Sequence, residues 1–297
     1  MPQIHFELSV PATPHALCSS FCTPETVITT ARDSFKSNLR STMDPGRFPS
    51  LERASYAVLA KGKETPPTLA EVAAHVYRRT FAVYTALFEQ LATDKMKQLA
   101  NEEVQSSLNM GAIGAEPGTS LTYGEIDFNS FADILERLDI HQGDTLVDLG
   151  SGTGKALVTA ALLFAPRLAR IHGIETLSSL FTPCSEVLAK LQVLLESNEA
   201  YEEHLSCKVT CELGDILATD QTAMDWTVAD IIFMNSTLFE PALMVALCQL
   251  ASLRMRSGTR VVTLTRPLPN LSQWKIVDER QYCMSWGTAT SFVHVKM

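Results

Sequence analysis

The chain has 297 residues, of which 46% are hydrophobic and 19% charged, and its 24 basic and 33 acidic residues give a formal net charge of −9. This length predicts one large domain or two modest ones, and the apolar fraction excludes a wholly disordered chain. The apolar runs are shorter than the ~20 residues that a membrane-spanning helix needs, so no membrane segment is expected. The N-terminus has no basic region before an apolar core, so no secretory signal is expected. The acidity argues against a protein that binds nucleic acid with its whole surface.

The negative charge is concentrated in the second part of the sequence. Residues 1–120 contain 11 basic and 12 acidic side chains, whereas residues 121–297 contain 13 and 21. Within the first part, residues 32–63 carry seven basic side chains. We interpret this stretch either as an ordinary solvated surface or as a local contact for an acidic partner.

Seven cysteines are spread along the chain, an odd number without the dense spacing of a disulfide framework. His15, Cys18 and Cys22 form one short cluster, and residues 204–211 repeat its spacing. Each cluster offers three side chains where a structural zinc site takes four. We therefore expect no metal site and a reducing compartment, the cytosol or the nucleus.

In chain order, the predicted elements fall into two regions. Residues 1–120 are rich in proline and predict short helices, with one strong helix that starts at Thr68 and has a capping box with Glu71. From residue 121 onward strands alternate with helices, which predicts an α/β fold with a doubly wound, mostly parallel sheet. The last two strands have no helix between them and predict an antiparallel hairpin joined by a link at 281–290. The predicted strands are 145–149, 171–175, 207–213, 231–234, 260–265, 274–280 and 291–296, and the main predicted helices are 68–98, 131–138 with a cap at Ser130, 155–164, one that starts at Pro183, and 241–253.

The strongest motif is the sequence VDLGSGTG at residues 147–154, between a predicted strand and a predicted helix. The dinucleotide-binding fingerprint requires GxGxxG, whereas here the spacing is GxGxG and Lys155 follows. Asp148 precedes the first glycine by two residues, and its negative charge would repel a pyrophosphate but attract a cation. S-adenosylmethionine carries an ammonium and a sulfonium and no phosphate, so the acidic loop favours this cofactor. The spacing and Asp148 together exclude a nicotinamide oxidoreductase.

Two further acids follow the next strands. Glu175 ends the second predicted strand, where a carboxylate can accept hydrogen bonds from ribose hydroxyls, and Asp215 follows the third, where it can accept from an adenine amino group while Ile216 covers the ring. The carboxyl ends of parallel strands meet at one edge of the sheet, so these acids define one crevice. A radical enzyme would need a third cysteine at Gly214, so that chemistry is not expected.

With the glycine loop, these acids resemble those of class I methyltransferases. Three more elements narrow the resemblance: the tripeptide 123–125 (YGE), the stretch 235–241 (NSTLFEP), and Ser285-Trp286 followed by Phe292. The set resembles the disruptor-of-telomeric-silencing (Dot-one type, non-SET) family of histone H3 lysine methyltransferases. The resemblance covers about 121–297, and the compact length is similar to that of the short kinetoplastid members.

The resemblance implies a role for each site residue. Residues 121–297 would form the S-adenosylmethionine-binding catalytic domain, of class I methyltransferase-like fold, and residues 1–120 a smaller N-terminal part, mostly helical or irregular. The reaction end would comprise Asn235 beside the transferred methyl group and three aromatic residues, Phe239, Trp286 and Phe292, that wall a lysine channel. The cofactor would be held by Tyr123, Gly124, Glu125, Asp148, Gly150, Ser151, Gly152, Gly154, Lys155, Glu175, Asp215 and Ile216, with Glu125 on the methionine ammonium.

The implied function is S-adenosylmethionine-dependent methylation of a core-domain lysine of histone H3 in chromatin. The expected partner is the nucleosome, with no membrane and with direct nucleic-acid contact at most through residues 32–63. The resemblance implies a nuclear location, although the sequence shows no import signal, and the cytosol is the alternative. We assume that the protein is a monomer. The alternatives are methylation of a non-histone protein or RNA, and an S-adenosylmethionine-binding module without turnover.

Four positions depart from the pattern of the family. Ser236 and Thr237 stand where Asn and Phe are usual after Asn235, Lys155 stands where Gln is usual, and Phe292 stands where Tyr is frequent. These departures concern the number of methyl groups added and the choice of substrate more than cofactor binding.

Overall fold

The computed structural model describes residues 49–63, 65–109, 124–284 and 287–297, all within one compact unit that spans residues 39–297. Helices and strands alternate after residue 127, as the sequence predicts. The α-helices are α1 (Pro49–Ala60), α2 (Leu69–Phe88), α3 (Thr93–Asn109), α4 (Phe128–Arg137), α5 (Lys155–Phe164), α6 (Ser178–Glu196) and α7 (Pro241–Arg254). The strands are β1 (Asp144–Leu149), β2 (Leu168–Glu175), β3 (Lys208–Leu213), β4 (Ile231–Met234), β5 (Arg260–Leu264), β6 (Trp274–Met284) and β7 (Gly287–Lys296), and short 3₁₀ turns lie at Glu199–Ser206, Trp226–Val228 and Ser236–Leu238.

The seven strands form a single sheet in the order β3-β2-β1-β4-β5-β7-β6. The first five strands are parallel to one another, and β7 runs antiparallel to both β5 and β6. The order reverses between β1 and β4, which is where an open α/β sheet leaves a crevice for a ligand. The predicted α/β fold, with a doubly wound, mostly parallel sheet and a C-terminal antiparallel hairpin, is confirmed.

Two apolar layers cover the sheet. On one face, Leu146 and Phe233 pack with α4 and α5. On the other face, Val147 and Ile232 pack with α7, for example with Met244. Every residue of β4 is buried, because a central parallel strand is covered on both faces. A packed core therefore lies on both faces of the sheet next to the crevice.

The predicted helix 68–98 is wrong beyond Phe88. The capping box is confirmed, since the backbone N–H of Thr68 donates to Glu71 at 2.8 Å and that of Glu71 donates to the Thr68 hydroxyl at 3.2 Å. The chain then turns after Phe88, where the N–H of Leu91 donates to the Phe88 carbonyl at 2.9 Å. A second helix, α3, starts at Thr93.

The predicted start of α6 at Pro183 is wrong as well, because the helix begins at Ser178 and Pro183 lies inside it. The first turn is capped by another helix. The carboxylate of Glu103 on α3 accepts the backbone N–H groups of Ser178 at 2.9 Å and of Ser179 at 2.8 Å. This carboxylate satisfies donors that a helix start otherwise leaves without partners.

Two smaller boundaries also differ from prediction. The cap of α4 is Asp127, not Ser130, because Asp127 accepts the backbone N–H groups of Asn129 at 2.9 Å and Ser130 at 3.1 Å. The predicted hairpin link at 281–290 is mostly paired strand, with register continuing to Met284 opposite Gly287. No helix in the described part of the chain combines the length and apolar character that a bilayer crossing requires.

Candidate functional site

The glycine loop leaves β1 and is fixed onto β2. The backbone N–H groups of Gly150 and Ser151 both donate to the carbonyl of Ile174, at 2.9 and 3.1 Å. Gly154, the last residue before α5, has φ of +87°, and a Cβ there would lie 2.7 Å from the Sγ of Cys184. Only glycine fits both the left-handed backbone and the space. Helix α6 therefore packs directly against the end of the loop where α5 begins.

Glu175 joins the glycine loop to the end of β2. Its Oε2 accepts the backbone N–H of Gly152 at 2.8 Å. Its Oε1 accepts the N–H groups of Thr176 and Leu177, each at 2.9 Å. Burial raises the pKa of Glu175, and the three backbone donors oppose that shift. These contacts fix the carboxylate against the glycine loop, and its role toward a ribose stays a prediction.

Asp148 is buried at the end of β1, and its Oδ1 has no hydrogen-bond partner among the described residues. Burial raises the pKa of Asp148 well above the ordinary aspartate value, and the nearby Glu175 charge raises it further. A buried polar atom without a partner is costly. This oxygen can therefore accept a hydrogen bond from a ligand, and a ligand that carries a donor or a positive charge would fit beside it.

Glu125 and Lys155, which the sequence assigns to one cofactor, contact each other. The Lys155 ammonium pairs with Oε2 of Glu125, and the Thr153 hydroxyl donates to Oε1. The same ammonium lies 3.4 Å from the Thr93 hydroxyl and 5.8 Å from the centre of the Phe88 ring. The cleft is therefore linked directly to α2 and α3.

Asn235 follows β4 and is oriented by polar contacts on both sides of its amide. Its Nδ2 donates to the Gly124 carbonyl at 2.6 Å, and its Oδ1 accepts from the Thr237 hydroxyl at 3.2 Å. The Thr237 hydroxyl lies 2.9 Å from that of Thr265, a β-branched residue at φ of +70°. Such a backbone costs on the order of 1–3 kcal/mol and is concentrated at functional sites.

These elements enclose one cleft at the carboxyl ends of β1 and β4. Eight of its lining residues belong to the set predicted from the sequence, and three apolar ones, Ile126, Ala156 and Phe233, do not. Thr153 and Thr237 were also missed, although both lie inside motifs that the sequence singles out. The lining residues are Gly124, Glu125, Ile126, Asp148, Gly150, Ser151, Gly152, Lys155, Ala156, Phe233 and Asn235.

The residues predicted for the adenosine end lie outside this cleft. Asp215 is exposed after β3, and its Oδ1 accepts the backbone N–H of Leu217 at 2.8 Å. Ile216 is buried, and its carbonyl accepts from the indole of Trp226 at 2.7 Å. Both follow the strand next to Glu175, so the order of the acids along the sheet edge is as predicted.

The predicted channel residues are only partly described. The ring of Phe239 lies against the glycine loop, 3.3 Å from the position that a Cβ on Gly150 would take. Phe292 lies on β7 opposite Thr263 of β5, with its ring 6.4 Å from that of His294. Trp286 and Tyr123 lie outside the described residues.

The electrostatics of the cleft favour a cation. Glu125, Asp148 and Glu175 are all buried, and Lys155 is the cation that lines the cleft among the described residues. A phosphate would add negative charge to this set, whereas an ammonium or a sulfonium would offset it. No group of three or more His, Cys, Asp or Glu in the described ranges is arranged to hold a metal ion.

Comparison with known proteins adds a family to this geometry. Residues 114–284 match the family model described as histone methylation protein DOT1. The H3 lysine-79-specific histone-lysine N-methyltransferase of Caenorhabditis elegans is 29% identical over 146 residues. That match covers 49% of this chain and 15% of the relative, so the chain spans a small part of that protein's length.

Solved structures with a similar fold include several methyltransferases. An RNA methyltransferase from Salinibacter ruber, in complex with S-adenosyl-L-homocysteine, has 19% identity and a TM-score of 0.40, and the match covers 56% of this chain and 90% of that one. The rRNA methyltransferase aviRa from Streptomyces viridochromogenes has 13% identity and a TM-score of 0.44, with 64% and 92% covered.

Proposed function

The chain belongs to the family of histone methylation protein DOT1, and from this premise we propose that it is an S-adenosylmethionine-dependent protein-lysine N-methyltransferase acting on a core-domain lysine of histone H3 in chromatin. The observation that supports the cofactor assignment most strongly is the buried Asp148 oxygen without a partner beneath the glycine loop. A cationic, phosphate-free ligand would supply the missing charge and donors. The histone substrate is proposed from the family and from the C. elegans relative.

The protein's acids are proposed to hold different parts of the cofactor. Glu125 and Asp148 would receive the amino-acid end, Glu175 the ribose hydroxyls, and Asp215 the adenine amino group beside Ile216. Backbone donors already fill both acceptor sites of the Glu175 Oε1 and one of the two on Oε2, so Oε2 can accept one further bond, from a ribose hydroxyl. The glycine loop would let the ligand approach the backbone closely.

The chain's remaining task is to position and desolvate the acceptor amine. When bound, the cofactor supplies an electrophilic methyl group. Lysine has an ordinary pKa of ~10.4 and attacks only as the neutral amine, and an apolar channel lowers that pKa because burial disfavours the cation. We propose that Phe239, Trp286 and Phe292 wall this channel and that Asn235, held by the Gly124 carbonyl, orients the reacting groups.

We also propose how the rest of the chain serves this reaction. Residues 121–297 would carry the catalysis and residues 1–120 would form the smaller N-terminal part. Contact with the nucleosome would use the basic stretch 32–63, of which Lys63 pairs with Glu71 at 3.7 Å. A nuclear location follows from a histone substrate.

Transfer of a labelled methyl group to recombinant nucleosomes and to free histone octamers tests the proposal. The wild-type chain should label histone H3, and the Asn235→Ala variant, which keeps the acids of the cleft, should not. Wild-type protein that binds S-adenosylmethionine in calorimetry but labels no histone would limit the assignment to a binding module. Wild-type protein that does not bind the cofactor would overturn the proposal altogether.

A further inference from the structure

We propose that Lys155 is an internal counter-ion of Glu125, and that it competes with the ammonium group of any amino-acid-bearing ligand for this carboxylate. The inference rests on the proposed function, because that function assigns Glu125 to the methionine end of S-adenosylmethionine. It adds that Lys155 limits the affinity of Glu125 for the methionine end of the cofactor.

The two side chains form a largely buried ion pair. Glu125 keeps 7% and Lys155 17% of its side-chain surface exposed. The ammonium contacts one carboxylate oxygen and the Thr153 hydroxyl contacts the other. A ligand ammonium must therefore share Glu125 with a second cation, and like charges at short range repel strongly where water is scarce.

The position of Lys155 on its helix points to the same conclusion. Lys155 is the first residue of α5, and a helix N-terminus carries a partial positive charge that disfavours a lysine there. The helix therefore does not stabilise the positive charge of Lys155, whereas the Glu125 carboxylate does. The lysine at this position is explained by its contact with the carboxylate rather than by helix formation.

The Lys155 ammonium also has two neighbours other than Glu125. The Lys155 nitrogen lies 3.4 Å from the Thr93 hydroxyl at the start of α3 and 5.8 Å from the centre of the Phe88 ring at the end of α2. An aromatic face and a hydroxyl together can hold an ammonium. A rotation of the Lys155 side chain toward these two groups would therefore free Glu125 for a ligand ammonium, with no change in the backbone.

The test compares two thioether ligands that differ only in the amino-acid part. S-adenosylhomocysteine carries the ammonium and the carboxylate, whereas 5′-methylthioadenosine lacks both. Lys155→Gln keeps a hydrogen-bond donor of similar length but removes the competing charge. We expect Lys155→Gln to lower the Kd of S-adenosylhomocysteine by about tenfold, measured by calorimetry, and to leave the Kd of 5′-methylthioadenosine unchanged. Lys190→Gln, the same change on the exposed surface of α6, serves as the matched control and should alter neither.

Each outcome decides between the two claims. Selective tightening of S-adenosylhomocysteine in Lys155→Gln supports the counter-ion role. An unchanged or weaker affinity for it, or equal tightening of both ligands, overturns that role and leaves the proposed function standing. Wild-type protein that binds neither ligand overturns both claims. Circular dichroism of each variant verifies that the fold is retained.

Discussion

Asn235 donates its side-chain amide to the carbonyl oxygen of Gly124 over 2.6 Å. This bond ties the carboxyl end of β4 to the segment that leads into α4, across the mouth of the cleft. Glu125, the next residue along that segment, faces Lys155 and Thr153 inside the cleft. Asn235, proposed for the reaction, therefore helps to position Glu125, which is proposed to bind the cofactor.

Replacement of Asn235 should separate binding from turnover. Asn235→Ala removes one hydrogen bond of about 1 kcal/mol and leaves the acids intact, so cofactor affinity should change by less than about threefold. Turnover should fall by about 10²-fold, because misplaced reacting groups lose that much. Calorimetry and labelled methyl transfer measure the two quantities. Asn235→Asp, which keeps the size but loses the donor, should behave in the same way, and full activity in either variant would remove Asn235 from the mechanism.

Replacement of Asp148 should stabilise the protein in the absence of ligand and weaken its binding of S-adenosylmethionine. Because burial raises the pKa of Asp148 in the folded chain, the folded state keeps its proton above pH ~3.9, where the unfolded aspartate ionises. The wild-type chain therefore loses stability as pH rises from there toward the folded pKa, and the full loss is present above that pKa. Asp148→Asn has no such charge to bury.

Thermal unfolding of both proteins across that pH range checks the sign. The melting temperature of Asp148→Asn should exceed that of the wild type at neutral pH, and the two should converge near pH 4. Its affinity for S-adenosylmethionine should fall by about tenfold or more. A variant that is less stable at pH 7 but binds normally would show that Asp148 is a structural group and not a ligand for a cation.

The glycine loop should tolerate no side chain at residue 154. Gly154→Ala places a Cβ 2.7 Å from the sulfur of Cys184 and at φ of +87°. We expect destabilisation of about 1–3 kcal/mol, measured by urea unfolding. The double variant with Cys184→Ala removes the sulfur and should recover part of the loss, leaving the backbone strain of roughly 1 kcal/mol. A double variant no more stable than Gly154→Ala would contradict the close packing of α6 on the loop.

The proposed aromatic channel should affect how the rate of methyl transfer depends on pH. If Phe239 excludes water from the acceptor lysine, Phe239→Ala should raise the pKa of that amine. The rise in kcat with pH should then move upward by about one unit, because kcat reports the groups that titrate in the enzyme–substrate complex, and activity on the acidic side should fall by about tenfold. Phe81→Ala, on the exposed side of α2, is the control. A profile that falls in height without moving would assign Phe239 to packing against Gly150.

The features that could be predicted from the sequence depend on local patterns. The glycine loop, Asp148 and Glu175 follow strand ends, and parallel strands bring such ends to one edge. The capping box at Thr68 likewise needs only Thr68 and Glu71, which are three positions apart in one turn of helix. Their positions could be predicted because each depends on a strand end or a helix turn that the local sequence marks.

The features that were missed depend on distant partners. The start of α6 is capped by Glu103, which is 75 residues earlier in the chain, so no local signal marks Ser178. The break after Phe88 lies in a stretch without proline or glycine, where packing of Leu91 on the core overrides helix propensity. The pairing of Lys155 with Glu125 is of the same kind, since both side chains carry a motif role but only the fold brings them into contact.

Labelled methyl transfer from S-adenosylmethionine, with nucleosomes, free histones and RNA offered in parallel and the product mapped by mass spectrometry, tests the central claim most directly. The account predicts label on a lysine within the core domain of histone H3, lost in Asn235→Ala and in Gly152→Arg. Gly152→Arg should also lose the cofactor, because Gly152 lines the cleft and its N–H is held by Glu175. Label on RNA alone would contradict the account.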